Sequence, residues 1–379
     1  MSIRDYNLYR ILYISRGGQI AGAQRQLLYL LGGLDKTKYK PIVISTDKGD
    51  FINEIERLGI EYYIYKFNHW RKLRNILRRY KDVKYICDLA VQNNVSLLHC
   101  SDMWLNKQVT LAGKKLGIPS VLHIRAPLKP KQIKDFACDD SDILIPVSTR
   151  IATRLSASGS IAIDKIIKVN DAVDLKNFNI GKRADNILRR DFDIEGKTVI
   201  GIAGRIEPDK KQFEFLEIAR DLIRINPNVK FIIIGDIKNQ IYYNQMQDFI
   251  NKNRLQDSVH FTGGRKDISD VLAGLDILIS LSGGSIRYEA MACGCCVVCA
   301  WSRQKSESDH LQDKKTGFII SEKNIEPVVS ILMRLSKDRN LIRKIGENAS
   351  AWAQKELSVD KLVRDTEKIY ADILSKGIT

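Results

Sequence analysis

The chain has 379 residues, 44% hydrophobic and 28% charged, a composition ordinary for a globular protein and a length too great for one typical domain. No run approaches the ~18 consecutive apolar residues that span a bilayer, and seven cysteines, an odd number, give no disulfide framework and fit a reducing compartment. Net charge is +16; residues 1–180 hold 29 Lys and Arg against 17 Asp and Glu, so +12 of it lies there and an anionic partner is expected on that half.

The first residues, MSIRDYNLYRILYIS, have a short apolar stretch that runs into glycines and no signal-peptide core, which predicts a cytoplasmic protein. YRILYIS is the first predicted strand; Gly17 and Gly18 follow, then a helix over 22–34. Strands YKPIVIST, EYYIYKF, VSLLHC, PSVLHIR and DILIPVS follow, with helices over 50–59, 70–93 and 104–117 between them. Near-continuous β-branched strands alternating with helices predict a parallel, doubly wound α/β sheet. The polar stretch NFNIGKRADNILRRDFDIEGK (177–197) is the expected interdomain connection. The pattern then restarts with KTVIGIAG, VKFIIIGD, SVHFTGG, LDILISLS, CCVVCA and GFIIS, and with helices over 211–225, 267–275 and 286–293. Two Rossmann-like domains are therefore expected, at 1–180 and 196–355. An amphipathic segment within 356–379 is expected to pack back on the first domain. Ligands of such sheets gather beyond the carboxyl ends of the strands, here in a cleft between the two domains.

In the second half the strand ends deliver polar groups. Gly204 and Arg205 follow one strand, and Lys210 comes five residues later; two cations at a strand-to-helix junction suit a diphosphate. Gly283, Gly284 and Ser285 precede a short helix opened by Ile286, and glycines there let backbone N–H groups approach a ligand. Glu289, one turn into that helix, is a carboxylate able to accept both hydrogen bonds of a ribose diol. The plain alternatives are a solvated loop for the first group and an exposed helical glutamate for the last.

In this order the segments GRIEPDKKQ, VKFIIIGD, VHFTGGRKDISDVLAGLDILISLS and YEAMACGCCVV resemble the donor domain of family 4 glycosyltransferases, which have the GT-B fold. GGQIAGAQRQLLYLLGGLDKTKYKPIVIS is similar to the family's glycine-rich opening, and VNDAVDLKNF to its asparagine–glycine–valine–aspartate–phenylalanine pattern, so the resemblance covers nearly the whole chain. It implies a retaining transferase, hexosyltransferase-like, that moves a sugar from a nucleotide-diphosphate sugar to a glycan or lipid-linked acceptor in cell-surface polysaccharide or glycolipid synthesis. It also implies that no metal or other cofactor is needed. Arg205 and Lys210 would bind the donor diphosphate and Glu289 the ribose. Gly17, Gly18 and His123 would lie near the donor phosphates and sugar. Gly263, Gly264 and Arg265 would meet the nucleobase, mostly through backbone. The family has a second glutamate eight residues before the position of Glu289; here Leu281 stands there, and altered donor-sugar contacts are expected. The competing readings are a non-catalytic nucleotide-sugar-binding subunit and a GT-B sugar epimerase.

Cys293, Cys295, Cys296 and Cys299 span a helix end and a strand without a histidine, and a metal site is not expected from them. The segment 66–86 sets Trp70, Leu73, Leu77 and Tyr80, with Ile76 and Val83 beside them, among Arg71, Lys72, Arg74, Arg78, Arg79, Lys81 and Lys84. It reads either as a core-facing helix with a solvated basic face or as an interfacial helix at an anionic membrane, through 66–84. No nucleic-acid motif accompanies the charge.

Overall fold

The computed structural model describes residues 8–68, 70, 76–184, 187–192, 194–300, 311–321 and 324–376. The chain divides into two compact units, residues 1–172 together with 359–379, and residues 173–358.

Unit 1 contains β1 (Tyr9–Ser15), α1 (Gly22–Gly33), β2 (Tyr39–Ser45), α2 (Asp50–Arg57), β3 (Glu61–Ile64), α3 (Ile76–Gln92), β4 (Val95–Cys100), α4 (Asn106–Leu116), β5 (Ser120–Ile124), α5 (Pro130–Asp135), β6 (Ile143–Pro146) and α6 (Thr149–Ser156). Its strands form one parallel sheet in the order β3-β2-β1-β4-β5-β6. Side chains alternate across it: Leu12, Ile14, Leu98 and Leu122 pack into one apolar layer, and Ile11, Tyr13, Leu97 and Val121 into the other.

Unit 2 contains α7 (Ile187–Asp191), β7 (Thr198–Ala203), α8 (Gln212–Ile225), β8 (Val229–Ile234), α9 (Gln240–Lys252), β9 (Val259–Gly263), α10 (Ile268–Ala273), β10 (Ile277–Ser280), α11 (Ile286–Ala292), β11 (Cys296–Ala300), β12 (Gly317–Ile320), α12 (Glu326–Lys337) and α13 (Arg339–Glu356). Its sheet order is β12-β11-β10-β7-β8-β9, again all parallel. Local chemistry sets several helix starts: the side chains of Asn239 and Asp338 accept from Tyr242 N and Leu341 N, both at 2.9 Å.

Both sheets are doubly wound. In each, the first and fourth strands in sequence lie side by side, and the chain runs outward from them in opposite directions. That pair marks the topological switch point: β1 beside β4 in unit 1 and β7 beside β10 in unit 2.

The last helix, α14 (Val359–Lys376), packs on unit 1, where Leu362, Val363, Ile369, Tyr370 and Leu374 join the apolar layer of α1 and α2. The unit boundary falls at Ala172/Val173 rather than within 177–197. The physical reason lies in that polar stretch, which is fastened to unit 2: Arg183 Nη1 donates to Leu275 O at 2.9 Å and Lys182 Nζ to Asp270 Oδ1 at 2.9 Å.

Of the basic segment, residues 71–75, and so Arg71, Lys72, Leu73 and Arg74, lie outside the described residues, as do the side chains of Ile76 and Leu77. Tyr80 does not share a buried stripe: it is 76% exposed, and Arg78, Lys81 and Lys84 are exposed with it. The face of α3 that packs carries Ile86, Cys87, Leu89 and Ala90, with buried Asp82 accepting from Tyr65 OH and Asn68. No helix among the described residues is long and apolar enough to cross a membrane.

Candidate functional site

In unit 2 the switch point brings the β7 and β10 loops together. After β7, Gly204 takes φ +155°, and a Cβ on it would rest against the Lys210 side chain at 3.5 Å. The neighbouring Gly235, after β8, has φ +148°, and a Cβ there would fall 2.0 Å from Gly204 O, so this close approach admits only glycine. Arg205 is 62% exposed on its side chain and pairs with Glu207 at 2.8 Å. Lys210 ends a 3-10 turn that leads through Lys211, in the left-handed region at φ 63°, into α8.

Gln212, the first residue of α8, was given no role by sequence reasoning. It is 1% exposed, and its Nε2 donates to Arg205 O at 2.9 Å and to Gly204 O at 3.4 Å. Its Oε1 is buried without a partner. A buried amide thus pins the loop that carries Arg205, and its only sequence signal was its place directly after the cationic turn.

After β10 the chain turns through Gly283 (φ 77°) and Gly284 (φ 103°), consecutive left-handed residues, into Ser285 and α11. Ile286 packs against the apolar layer of α10 and α11, and Glu289 is half-buried one turn into α11. Leu281, at the position of the family's absent glutamate, is 5% exposed and sits in the apolar layer with Ile202, Ile206, Phe215 and Ile279. The side chain at that position is therefore a core residue here.

A second residue missed from the sequence is Arg287. Its guanidinium reaches Tyr288 OH at 2.7 Å and Cys299 Sγ at 3.4 Å, lies 4.8 Å from the Tyr288 ring centre, and has no carboxylate partner among the described residues. After β9, Gly263 (φ 67°) and Gly264 form the next loop. Arg265 is held by Asp267 in a two-pronged pair (2.8 and 2.7 Å) and by Asp191 at 3.3 Å. Its side chain is thus occupied within the protein, and what this loop offers a ligand is backbone.

The four clustered cysteines are buried. Cys293 and Cys295 donate to Ser269 O and Leu272 O, and Cys296 packs into the opposite layer of the sheet from Cys299. Burial pushes the Cys295 thiol up to about 12. Among the described residues no group of His, Cys, Asp and Glu is placed to hold a metal.

In unit 1, Gly17 (φ 90°) donates to Thr46 Oγ1 at 2.8 Å, and Gly18 runs so close to the chain at Lys48 that a Cβ would lie 2.0 Å from Lys48 O. Arg16 beside them pairs with Asp102 of the β4 loop at 3.0 Å. His123, on β5, is 3% exposed; its Nδ1 lies 3.3 Å from His99 Nε2, and its Nε2 is buried without a partner. Arg125 Nε donates to Asp171 at 3.1 Å. Burial and the Arg125 charge push His99 down to about 3 and hold His123 well below the usual imidazole range, so both rings are neutral near pH 7. Gly17 and Gly18 follow β1 in unit 1; in unit 2 Arg205 and Lys210 follow β7, and Gly283, Gly284 and Ser285 follow β10, the strand paired with it, with Glu289 on α11 beyond that loop.

Comparison with known proteins bears on the fold. Residues 185–352 match the family described as glycosyl transferases group 1. The chain is 23% identical over 315 residues to the N-acetyl-alpha-D-glucosaminyl L-malate synthase of Bacillus anthracis, covering 76% of this chain and 78% of that one. Among solved structures, a glycosyltransferase from Rickettsia africae ESF-5 superposes with a TM-score of 0.83 at 19% identity, over 97% of this chain and 99% of the other. Anabaena HepE in complex with UDP superposes with a TM-score of 0.80 at 20% identity, over 96% and 100%. These likenesses give the GT-B fold across both units.

Proposed function

We propose, from a chain whose second unit belongs to the glycosyl transferases group 1 family on a GT-B fold, that this protein transfers a sugar from a nucleotide-diphosphate sugar to a glycan or lipid-linked acceptor with retention. The observation that carries this reading is the pairing of β7 with β10, which sets the Arg205–Lys210 turn beside the Gly283–Ser285 loop. Two cations and a run of backbone amides then converge where a diphosphate leaving group gains charge. In unit 2, Glu289 accepts hydrogen bonds from the ribose hydroxyls and the Gly263–Gly264 backbone meets the base; for unit 1, the family resemblance assigns His123 a hydrogen bond to the transferred sugar. In the reaction the bond from the anomeric carbon to the diphosphate oxygen breaks and a glycosidic bond forms on the same face. The acceptor hydroxyl proton passes to the leaving diphosphate, so no protein base is needed. Arg205, 62% exposed on its side chain, exchanges its half-buried partner Glu207 for the diphosphate.

The test is a thermal-shift screen of nucleoside-diphosphate sugars followed by product analysis. A ligand at 100 times its Kd adds about 2.7 kcal/mol of stability. Stabilisation by one nucleotide sugar with slow release of its sugar supports the reading. Absence of stabilisation by any of them overturns it, and binding without turnover over hours favours a non-catalytic binding subunit. The UDP bound to HepE makes uridine donors the first to screen.

Exposed Tyr80, Arg78, Lys81 and Lys84 on α3 favour a membrane-adjacent acceptor, since aromatic and basic groups on one exposed surface suit an anionic lipid headgroup layer. Co-sedimentation with anionic vesicles at low salt, lost in Arg78→Glu/Lys81→Glu/Lys84→Glu, tests this; indifference of the wild type to such vesicles points to a soluble acceptor.

A further inference from the structure

Four side chains that are far apart in sequence form one buried hydrogen-bonded chain in unit 1. Tyr13 on β1 and His99 on β4 are direct register partners, and His123 on the next strand, β5, lies on the same side of the sheet. Tyr370 enters from α14. The links are Tyr13 OH to Tyr370 OH at 3.0 Å, Tyr370 OH to His99 Nδ1 at 2.6 Å, and His99 Nε2 to His123 Nδ1 at 3.3 Å. The Tyr13 and His99 rings stack with centres 5.1 Å apart.

Every atom of the chain is enclosed, so its protons must be shared consistently. Two arrangements run in one direction from end to end. In one, Tyr13 donates to Tyr370, Tyr370 to His99 Nδ1, and His99 Nε2–H to His123 Nδ1; the single donor left over is His123 Nε2–H. In the other, every bond is reversed. Then the Tyr13 hydroxyl proton has no acceptor, and His123 Nε2 is left as a bare acceptor. The first arrangement strands one donor at the end of the chain, and the second strands a donor at one end and an acceptor at the other. A third, in which Tyr13 and His99 Nδ1–H both donate to Tyr370, strands the Tyr370 proton as well as His123 Nε2. Each unsatisfied buried group keeps its full desolvation penalty, so the arrangement that strands fewer of them is preferred. Burial, helped by the neighbouring Arg125 charge, disfavours protonation of both rings, so neutral tautomers are the states that count.

We infer that Tyr370 of the C-terminal helix, acting through His99, fixes His123 as the Nε2–H tautomer and so makes it a hydrogen-bond donor, with His99 and Tyr370 as its positioning residues. The positioning role rests on the proposed contact of His123 with the transferred sugar; the proton arrangement does not. The device gives α14 a functional part beyond packing: the helix that follows unit 2 in sequence returns to unit 1 and sets the donor state of a strand-end histidine.

The proton arrangement is tested on the protein without substrate. Nitrogen-15 spectra of the imidazoles separate protonated from bare ring nitrogens, and only five histidines must be assigned, His99 and His123 through the signals lost in His99→Gln and His123→Gln. Protonated Nε2 and bare Nδ1 at both residues is the expected result; protonated Nδ1 at His123 overturns the inference. The positioning role is tested by a double-mutant cycle on sugar transfer, with UDP affinity as the control. Tyr370→Phe is expected to lower kcat about tenfold, as a lost hydrogen bond does, with UDP affinity unchanged and no further loss in a His123→Ala background. Tyr13→Phe, which leaves the Tyr370 proton for His99, is expected to keep the nitrogen pattern. An equal loss from Tyr370→Phe with and without His123 refutes positioning. A His123→Ala variant with full activity refutes the sugar contact instead, and the spectra decide the tautomer either way.

Discussion

Replacing Leu281 by glutamate restores the residue that the family pattern has at this position, and the structure predicts that the protein will not tolerate it. Leu281 is 5% exposed within the layer that holds Ile202, Ile206, Phe215 and Ile279. Loss of the leucine's burial costs ~1.5–3 kcal/mol. The glutamate must then be kept neutral in apolar surroundings. Holding a carboxyl of ordinary pKa ~4.3 protonated at pH 7 costs about 3.7 kcal/mol more, at ~1.36 kcal/mol per unit. The total, about 5–7 kcal/mol, is comparable to the whole stability of a typical domain. The penalty depends on pH with a definite sign. The buried carboxyl's folded pKa is raised, so the native state holds a proton that the unfolded chain releases above pH ~4.3, and the penalty grows as pH rises. At pH 5 the protonation part falls to about 1 kcal/mol, so the variant recovers about 2.7 kcal/mol relative to wild type between pH 7 and 5. Urea unfolding of Leu281→Glu beside Leu281→Met at the two pH values measures this; the methionine variant is expected to lose less than ~1.5 kcal/mol. A glutamate variant as stable as wild type at pH 7, or one whose deficit does not change with pH, would show that the side chain at 281 reaches solvent or ligand instead of the core.

Arg205→Ala and Lys210→Ala are each expected to lower kcat by roughly 10²-fold or more while the protein stays folded, measured by steady-state transfer alongside thermal unfolding; near-normal turnover in both would remove the diphosphate assignment. Glu289→Gln should weaken donor binding, with the largest loss for ribonucleotide donors, and wild-type affinity equal for ribose and 2′-deoxyribose donors in calorimetry would exclude the diol contact. Because His99 and His123 are neutral in the fold, with pKa values below the ordinary ~6.5, the stability they contribute is present above that value and lost as pH falls toward the folded value of about 3 for His99. Two such groups give at most about 2.7 kcal/mol per pH unit, so unfolding of His99→Gln/His123→Gln should depend less steeply on pH between 6 and 4 than that of wild type.

The sequence determined the parts of this protein that depend on local periodicity. β-Branched runs alternating with amphipathic stretches were sufficient for the twelve strands among the described residues and for a doubly wound reading, because strand and helix periods express which side of each element is buried. The order of strand ends then singled out the Arg205–Lys210 and Gly283–Ser285 loops, since polar residues directly after a buried strand stand at the sheet edge. What depends on side chains meeting over long separations was not legible. Tyr13 and Tyr370 are 357 positions apart, and nothing local marks either as one end of a buried chain. The same holds for the pair of Arg265 with Asp191, 74 positions away, and for Arg183, whose bonds to Leu275 O and Gly294 O draw an expected linker into unit 2. Leu281 was visible as a departure from a pattern, but whether it left a gap in a site or filled a core turned on how β10 lies against β7 and α8. Only the packed structure decides that, because one residue's displacement at a strand end exchanges a ligand-facing side chain for a buried one.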